Sequence, residues 1–237
     1  ILNIEEFRAA FKEVENIPAK QNTFRRLRLN QWTRSETRYI PMDFWDLCGK
    51  NPVDVKKLKG KVCYAGLDLA SSIDIAAFAK VFPNEDGSFD VLMRFWIPEE
   101  NMRERVLRDK VPYDVWIREG YIKATPGNVI DYAVIEADIK KDGELYNIKE
   151  IAYDRWGAVQ ISQNLEAEGF TMVPFGQGFK SMSSPTKELL KLVMSKKIRH
   201  SGNPVLRWMA DNMVVKTDPA ENVKPDKSKS TERIDGS

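Results

Sequence analysis

The chain has 237 residues, a formal net charge of +2 and an apolar share of 42%, which is enough to bury a core of ordinary size. It has no apolar run near the roughly 20 residues that cross a bilayer and nothing resembling a signal peptide, so we expect a soluble protein. Its two cysteines, Cys48 and Cys63, match neither a disulfide framework nor a zinc-binding spacing. Because His200 is the single histidine, most zinc and histidine-base chemistries are excluded, and an enzyme of this composition would work with carboxylates.

Residues 1–59 predict one helix and an extended linker. The helix covers residues 4–14 and has one apolar face, for which the rest of the chain offers no evident partner. Residues 19–60 show no clean periodicity apart from a short helix around residues 43–47. We therefore expect this part to be the end of a preceding domain with its linker, and residues 60–237 to be the core domain.

The core domain begins with three predicted strands, at residues 61–69, 74–82 and 89–97, which are separated by short turns and form an antiparallel meander. The later elements alternate between helix and strand. In chain order they are helices near 102–107 and 115–117, a helix capped by Asn128 and ended by Gly143, a strand at 148–154, a helix at 158–168, a strand at 170–175, a helix that starts at Ser184-Pro185, a helix from Asn203-Pro204 to Asn212, and a strand at 213–217. This order predicts an α/β fold with a ribonuclease H-like mixed sheet, in which the meander leads into βα units flanked by helices.

Two aspartates are expected at the carboxyl ends of strands. Asp68 lies within an otherwise apolar run, where a carboxylate is costly without a partner, and Asp154 ends the strand that begins at Ile148. Ligands in open α/β sheets usually bind at such ends. If the two strands are neighbours, the carboxylates face each other, and divalent cations would relieve their repulsion.

Two further acids are candidates for the same site. Asp235 lies at the start of a predicted helix near the carboxyl terminus, and Asp74 lies across the first hairpin turn from Asp68. Each candidate also has an ordinary interpretation, as a turn acid, a helix cap or a helix N-terminal acid. Carboxylates without histidine suit Mg²⁺ or Mn²⁺, and two such ions about 3.5–4 Å apart can hold the attacking water and the leaving 3′ oxygen of a phosphoryl displacement.

Basic residues are concentrated in three segments. Six basic residues and one acid lie between Lys20 and Arg38, and the same numbers lie between Lys180 and Arg199. The third cluster consists of Lys224, Lys227, Lys229 and Arg233. A single cluster is commonly a solvated face, but three of them favour a polyanion such as nucleic acid.

The remaining features are weaker. Gly176-Gln177-Gly178 could be a loop that contacts phosphate ahead of the helix predicted to start at Pro185, although a flexible turn is the more common explanation. We expect His200 to lie at the surface or to be partly packed. The tryptophans are expected in the core rather than on a base-stacking surface, namely Trp45, Trp96, Trp116, Trp156 and Trp208.

Several separated motifs, taken together, resemble the large terminase subunit of tailed bacteriophages. They are Gly66-Leu67-Asp68-Leu69-Ala70, Tyr153-Asp154-Arg155-Trp156 and Arg233-Ile234-Asp235-Gly236, with residues 25–32, 125–131, 176–179 and 202–206. Their order makes the resemblance specific over essentially the whole chain. No Gly-x-x-x-x-Gly-Lys-Ser/Thr segment is present, so the resemblance implies the nuclease half of a protein whose preceding part is an ATPase.

The resemblance implies an endodeoxyribonuclease that cuts concatemeric viral DNA during genome packaging by two-metal phosphodiester hydrolysis. Its catalytic, metal-binding acids would be Asp68, Asp154 and Asp235, with Asp74 as an auxiliary ligand and two Mg²⁺ or Mn²⁺ ions as cofactors. The implied partners are double-stranded DNA, the terminase small subunit, the portal protein and the ATPase domain of the same polypeptide, with no membrane. The implied location is the host cytoplasm during virion assembly.

Two other classes of function remain open at this stage. Gly66-Leu67-Asp68 followed by Ser71 and Ser72 is similar to the phosphate loop of nucleotide-binding modules of the actin and sugar-kinase type. ATP binding would favour that alternative. The third possibility is a non-catalytic DNA-binding or docking domain in which the acids are structural, and DNA binding without cleavage would favour it.

Overall fold

The predicted meander forms the centre of the sheet. β1 (Val62–Asp68), β2 (Ala76–Pro83) and β3 (Phe89–Pro98) are successive antiparallel neighbours in the computed structural model, which describes residues 4–15, 24, 28–29, 38–69, 74–155 and 158–226. The β2–β3 turn is held by Asp86, whose carboxylate accepts hydrogen bonds from the backbone N–H and the hydroxyl of Ser88. The apolar alternation of these strands therefore produced the expected pairing.

Parallel strands extend the meander on both sides. The further strands are β4 (Lys123–Thr125), β5 (Asn147–Tyr153), β6 (Met172–Pro174) and β7 (Ile198–Arg199). The sheet order is β4-β3-β2-β1-β5-β6, and β7 pairs with the beginning of β3. β5 runs parallel to β1 and β6 parallel to β5, so the carboxyl ends of these three strands lie at one edge. The short strands β4 and β7 were not predicted.

Helices cover both faces of the sheet. The helices that the structure describes are α1 (Ile4–Glu15), α2 (Met42–Gly49), α3 (Met102–Asp109), α4 (Tyr113–Arg118), α5 (Tyr132–Leu145), α6 (Val159–Ala167), α7 (Phe179–Met194) and α8 (Pro204–Asn212), with a 3₁₀ turn at Val55–Leu58. One face of the sheet, hereafter the first face, holds the larger core. It packs against Trp45 of α2, Val193 of α7 and Met209 of α8. The second face packs against α5 and α6 through Ile135 and Leu165. The mixed α/β prediction is confirmed.

Helix α5 differs from the prediction at both ends. It is capped by Asp131, whose carboxylate accepts from the N–H of Ala133, rather than by Asn128. The hydroxyl of Thr125 accepts a hydrogen bond from the N–H of Asp131 and so closes the bent loop of residues 126–130 before the helix. The helix also continues past Gly143 to Leu145. Gly143 is required there for close packing, since a Cβ at this position would lie 2.6 Å from Cζ of Phe170.

Helix α7 begins at Phe179, so the prediction of a start at Ser184-Pro185 is wrong and Pro185 lies inside the helix. Tertiary contacts secure the additional first turn. Lys224 donates a hydrogen bond of 2.8 Å to the carbonyl of Gln177, and its ammonium lies 5.6 Å from the centre of the Phe179 ring. Lys224 belongs to a separate hairpin of β8 (Val215–Thr217) and β9 (Val223–Pro225), of which only the first strand was expected.

His200 is buried, with 3% of its surface exposed, which corrects the expectation of a surface or partly packed residue. Its ring stacks on Trp45 at a centroid distance of 4.2 Å, and its Nε2–H donates to the Trp45 carbonyl at 3.0 Å. Trp45, Trp96 and Trp116 lie in the core as expected, whereas Trp156 is outside the described residues. These aromatic side chains stabilise the sheet–helix packing.

A buried ion cluster joins the second face of the sheet to α5. Lys80 of β2 and Asp142 of α5 form a salt bridge, and their side chains are 3% and 1% exposed. Arg94 of β3 completes the cluster with two hydrogen bonds of 2.6 Å to the same carboxylate. Burial lowers the pKa of the Lys80 ammonium, and the Asp142 charge opposes this shift. The carboxylate therefore pairs with two cations of neighbouring strands.

The amino-terminal helix confirms the predicted apolar face. Ile4 and Phe11 of α1 are 61% and 49% exposed. The rings of Phe7 and Phe11 lie 5.2 and 5.9 Å from that of the buried Phe24, which corrects the expectation that the rest of the chain offers this face no partner. The predicted boundary between residues 1–59 and residues 60–237 stays a prediction. Of the helices that the structure describes, none has the length and apolar character needed to cross a membrane.

Candidate active site

Asp68 and Asp154 lie side by side at the carboxyl edge of the sheet. Asp68 is the last residue of β1, and Asp154 directly follows β5. The parallel register pairs Leu67 with Tyr153, so the two aspartates occupy the next positions on strands that are about 4.8 Å apart. Both residues are half-buried. The structure thus brings together the two strand ends that the sequence singled out.

The aspartates share a part of the sheet lined with small residues. Side chains alternate along a strand, so Asp68 lies on the same face as Gly66, and the antiparallel register places Ala77 opposite Asp68. On β5, Ala152 is paired with Gly66. Gly66 and Ala152 are only half-buried, and Tyr64 on the same face is 50% exposed. The first face is therefore open beside the aspartates, and a bulky ligand could approach them.

The other two predicted ligands are placed differently. Asp74 is half-buried and precedes β2, at the same end of the sheet as Asp68. Its charge also reaches α3, where it contributes to the raised pKa of Arg108, a shift caused mainly by the hydrogen bond from Arg108 to Asp109. Asp235 is outside the described residues. Within the described ranges, no group of three His, Cys, Asp or Glu side chains could hold a metal ion.

The loop before α7 forms one side of this region. The N–H of Phe175 donates a hydrogen bond of 2.8 Å to the carbonyl of Tyr153, the residue before Asp154. The chain then passes through Gly176 to Gly178, which is the N-cap of α7. The predicted glycine loop therefore lies next to the aspartates, but it precedes a helix that starts earlier than expected.

The paired aspartates have the right chemistry for a hard cation. Both offer only carboxylate oxygens, which are the ligands that Mg²⁺ and Mn²⁺ prefer, and the chain's single histidine is buried against Trp45. Two like charges on adjacent strands repel each other, and a bound cation would reduce that repulsion. The donor set therefore fits a divalent ion, which Asp68 and Asp154 would hold together.

Sequence reasoning missed two features of the site. The open platform of small residues had a detectable signal, because Gly66 and Ala152 each precede an aspartate by two positions and so share its face. The contact of Lys224 with Gln177 had no detectable signal in the sequence, since the two residues are 47 positions apart. Only the three-dimensional packing of the hairpin reveals it.

This strand order, with aspartates at the carboxyl ends of the adjacent parallel strands β1 and β5, defines a ribonuclease H-like domain. Residues 2–237 match the family described as terminase large subunit, endonuclease domain. The chain belongs to this family.

Individual relatives agree with this assignment. The chain is 40% identical over 222 residues to the terminase large subunit of Enterobacteria phage HK97, covering 93% of this chain and 43% of that protein. It is 29% identical over 225 residues to protein YmfN of Escherichia coli strain K12, covering 91% of this chain and 50% of that protein. The crystal structure of the HK97 large terminase superposes with a TM-score of 0.76 at 38% identity, covering 99% of this chain and 49% of that one. The chain spans about half the length of these relatives.

Proposed function

We propose that this domain is a metal-dependent endonuclease that cleaves double-stranded viral DNA during genome packaging. The observation that carries the proposal is the side-by-side position of Asp68 and Asp154 at the open edge of the sheet. Asp235 is proposed as a third ligand and Asp74 as an auxiliary one. Family membership supports the reaction class, and the donor set supports the requirement for a cation.

The contributions of the chain follow from its geometry. Asp68 and Asp154 hold the cation and fix its position, because each is anchored at the end of a strand in the centre of the sheet. Gly66 and Ala152 leave room for a phosphodiester backbone above them. When bound, divalent cations activate water and stabilise the negative charge that develops on the phosphate. Since clusters of basic residues bind the phosphate backbone rather than the bases, we expect cleavage with little sequence preference.

The proposal extends to the whole protein. We infer that residues 1–59 connect this domain, residues 60–237, to an ATPase domain of the same polypeptide. The apolar surface that α1 leaves exposed beside the Phe24 contact, mainly Ile4 and part of Phe11, supports a partner at that end. The terminase small subunit and the portal protein are proposed as partners, and the host cytoplasm as the site of action.

The test is plasmid cleavage by the chain and by Asp68→Asn and Asp154→Asn variants in Mg²⁺ or Mn²⁺. Each variant should lose cleavage by at least about a hundredfold, because a neutral amide holds the cation poorly and does not offset its charge. The matched control is Asp86→Asn, which removes a carboxylate at the other end of β2, where an amide can still accept from Ser88. Cleavage by either site variant at the rate of the control would contradict the site, and cleavage in EDTA would contradict the cation.

Isothermal titration with Mn²⁺ separates binding from catalysis. The chain and the Asp86→Asn variant should bind the ion, and the Asp68→Asn variant should bind it at least about tenfold more weakly. DNA binding without cleavage in any divalent cation would favour the docking alternative. ATP binding by the chain would favour the nucleotide-binding alternative.

A further inference from the structure

The exposed side of α7 carries a row of lysines. Lys180, Ser184, Lys187 and Lys191 follow each other at intervals of four, three and four residues, which places them on one helical face. All four are exposed, whereas Val193 on the opposite side is buried in the core of the first sheet face. The row, hereafter the α7 lysine row, therefore points away from the sheet.

Few acids neutralise this row. Glu188 accepts hydrogen bonds of 3.2 Å from Lys191, and it is the one acid within α7. Lys187 donates a hydrogen bond to the backbone carbonyl of Glu221 rather than to its carboxylate. Asp218 of the facing hairpin accepts hydrogen bonds from Ala220 and Asn222 within its own turn, and its charge also interacts with that of Lys187, so Glu188 and Asp218 offset part of the charge of the row and of Lys224. The row therefore retains a net positive charge.

A groove runs beside the row. It has a volume of about 410 Å³ and is lined by α7 on one side and by Asn222 of the hairpin on the other. Lys224 lies at the end of the groove that is lined by Phe179. The groove is lined by the lysine ammonium groups of the row and the hydroxyl of Ser184, which can donate hydrogen bonds to phosphate oxygens, and by the carboxylate of Glu188, which is paired with Lys191.

The α7 lysine row starts at the candidate active site. The Phe175 N–H is bonded to the carbonyl of Tyr153, beside Asp154, and only three residues separate Phe175 from the first residue of α7. The far end of α7 leads to Lys197, whose carbonyl accepts from Phe89 at the β2–β3 turn, on the opposite edge of the sheet. A polyanion lying along the row would therefore reach the aspartates at one end.

We propose that the α7 lysine row, with Lys224, binds the phosphate backbone of duplex DNA and directs it to Asp68 and Asp154. The inference rests on the proposed nuclease function. Lys180 and Lys191 are eleven residues apart, which corresponds to about 16 Å of helix and to about five base pairs of DNA. Lysines act as flexible point charges, so this surface binds the backbone without reading sequence.

The experiment measures duplex binding as a function of salt. A fluorescent 30-base-pair duplex is titrated in EDTA, which prevents cleavage, with the chain and with the triple variant Lys180→Gln, Lys187→Gln, Lys191→Gln. The matched control is Lys56→Gln, Lys57→Gln, Lys59→Gln, which removes the same charge from exposed positions before β1, at the opposite edge of the sheet.

The α7 triple variant should lose at least about tenfold in affinity at 0.1 M salt, and its slope of log affinity against log salt should fall by about two to three. The control should change affinity by less than about threefold. Equal losses in the two triple variants, or no duplex binding by the unmodified chain, would overturn the inference. Binding of an acidic protein but not of DNA would overturn it as well.

A parallel cleavage assay keeps the two proposals distinguishable. If the chain binds the duplex through the α7 lysine row but never cuts it, the proposed nuclease function fails, and with it the delivery of DNA to the aspartates, whereas the α7 lysine row stands as a DNA-binding surface. If the chain cuts DNA and the α7 triple variant keeps the original salt slope, the inference alone fails.

Discussion

Asp68 and Asp154 extend a parallel pair of strands by one position each, so that two carboxylates meet at the carboxyl edge of β1 and β5. The pairing joins segments that are more than 80 residues apart in the chain. Such a pair of half-buried acids is electrostatically unfavourable by itself. Binding of a cation would therefore link the stability of the fold to the proposed reaction.

The first prediction concerns this linkage. Mn²⁺ at about one hundred times its dissociation constant should stabilise the chain by about 2.7 kcal/mol, which corresponds to an increase in Tm of roughly 5–10 °C for a protein of this size. The Asp68→Asn, Asp154→Asn double variant should lose most of this increase, because its ligands no longer carry charge. Thermal unfolding with and without Mn²⁺ measures the effect. Asp86→Asn serves as the control, and an equal increase in all three proteins would contradict the prediction.

The second prediction concerns the buried ion cluster. Asp142→Asn should lower the free energy of unfolding by about 3–5 kcal/mol, since it leaves the buried ammonium of Lys80 without its counter-charge. Glu168→Gln, which breaks the exposed pair with Lys140, should cost no more than about 0.5 kcal/mol. Urea unfolding compares the variants. A Lys80→Met, Asp142→Leu double variant should recover part of the loss, and equal costs for Asp142→Asn and Glu168→Gln would refute the prediction.

The third prediction concerns pH. Burial against Trp45 lowers the pKa of the His200 imidazole below its ordinary value of 6.5, so the folded state disfavours the protonated ring. Between pH 6.5 and the folded pKa, the unfolded state binds more protons, and the free energy of unfolding should therefore decrease as the pH falls. Urea unfolding at a series of pH values between 8 and 5 measures this decrease in the free energy of unfolding. The His200→Gln variant should lack this dependence, and an unchanged slope in that variant would show another group to be responsible.

The fourth prediction concerns Gly143. Alanine would ordinarily stabilise a helix interior by about 1 kcal/mol relative to glycine. Here Gly143→Ala should instead destabilise the fold by about 1–3 kcal/mol, because the new Cβ would overlap the Phe170 ring. In a Phe170→Leu background the cost should shrink or change sign. A double-mutant cycle from urea unfolding tests this coupling, and the same cost in both backgrounds would exclude it.

Much of the fold could be predicted from local patterns. The alternation of apolar residues located β1, β2 and β3 to within two residues, and Asn203 was recognised as the cap of α8, where its side chain accepts from the N–H groups of Val205 and Leu206. These features depend on residues within a few positions of each other. The two aspartates could be singled out for the same reason, since each stands at the carboxyl end of a predicted strand.

The errors occurred where distant contacts outweigh local preference. Glycine commonly ends a helix and proline commonly starts one, yet Gly143 and Pro185 both lie inside helices. Gly143 packs under the Phe170 ring, and Pro185 follows a first helical turn that is secured by Lys224. Asn128 is an acceptable cap by residue type, but Asp131 caps the helix, and the hydrogen bond from its N–H to the Thr125 hydroxyl keeps residues 126–130 in a bent loop. His200 is polar, but the Trp45 ring and carbonyl provide a partner for it in the core.

Local periodicity was therefore enough to predict the central meander and most of the helices, and the order of the motifs was enough to predict the family and to single out the acids that we propose as cation ligands. Only the tertiary structure decided that β1 and β5 are neighbours, that Asp68 and Asp154 share an open face, and that the α7 lysine row begins beside them. Pairing of strands far apart in sequence depends on which packing buries the most apolar surface with every polar group satisfied. That choice is a property of the whole fold.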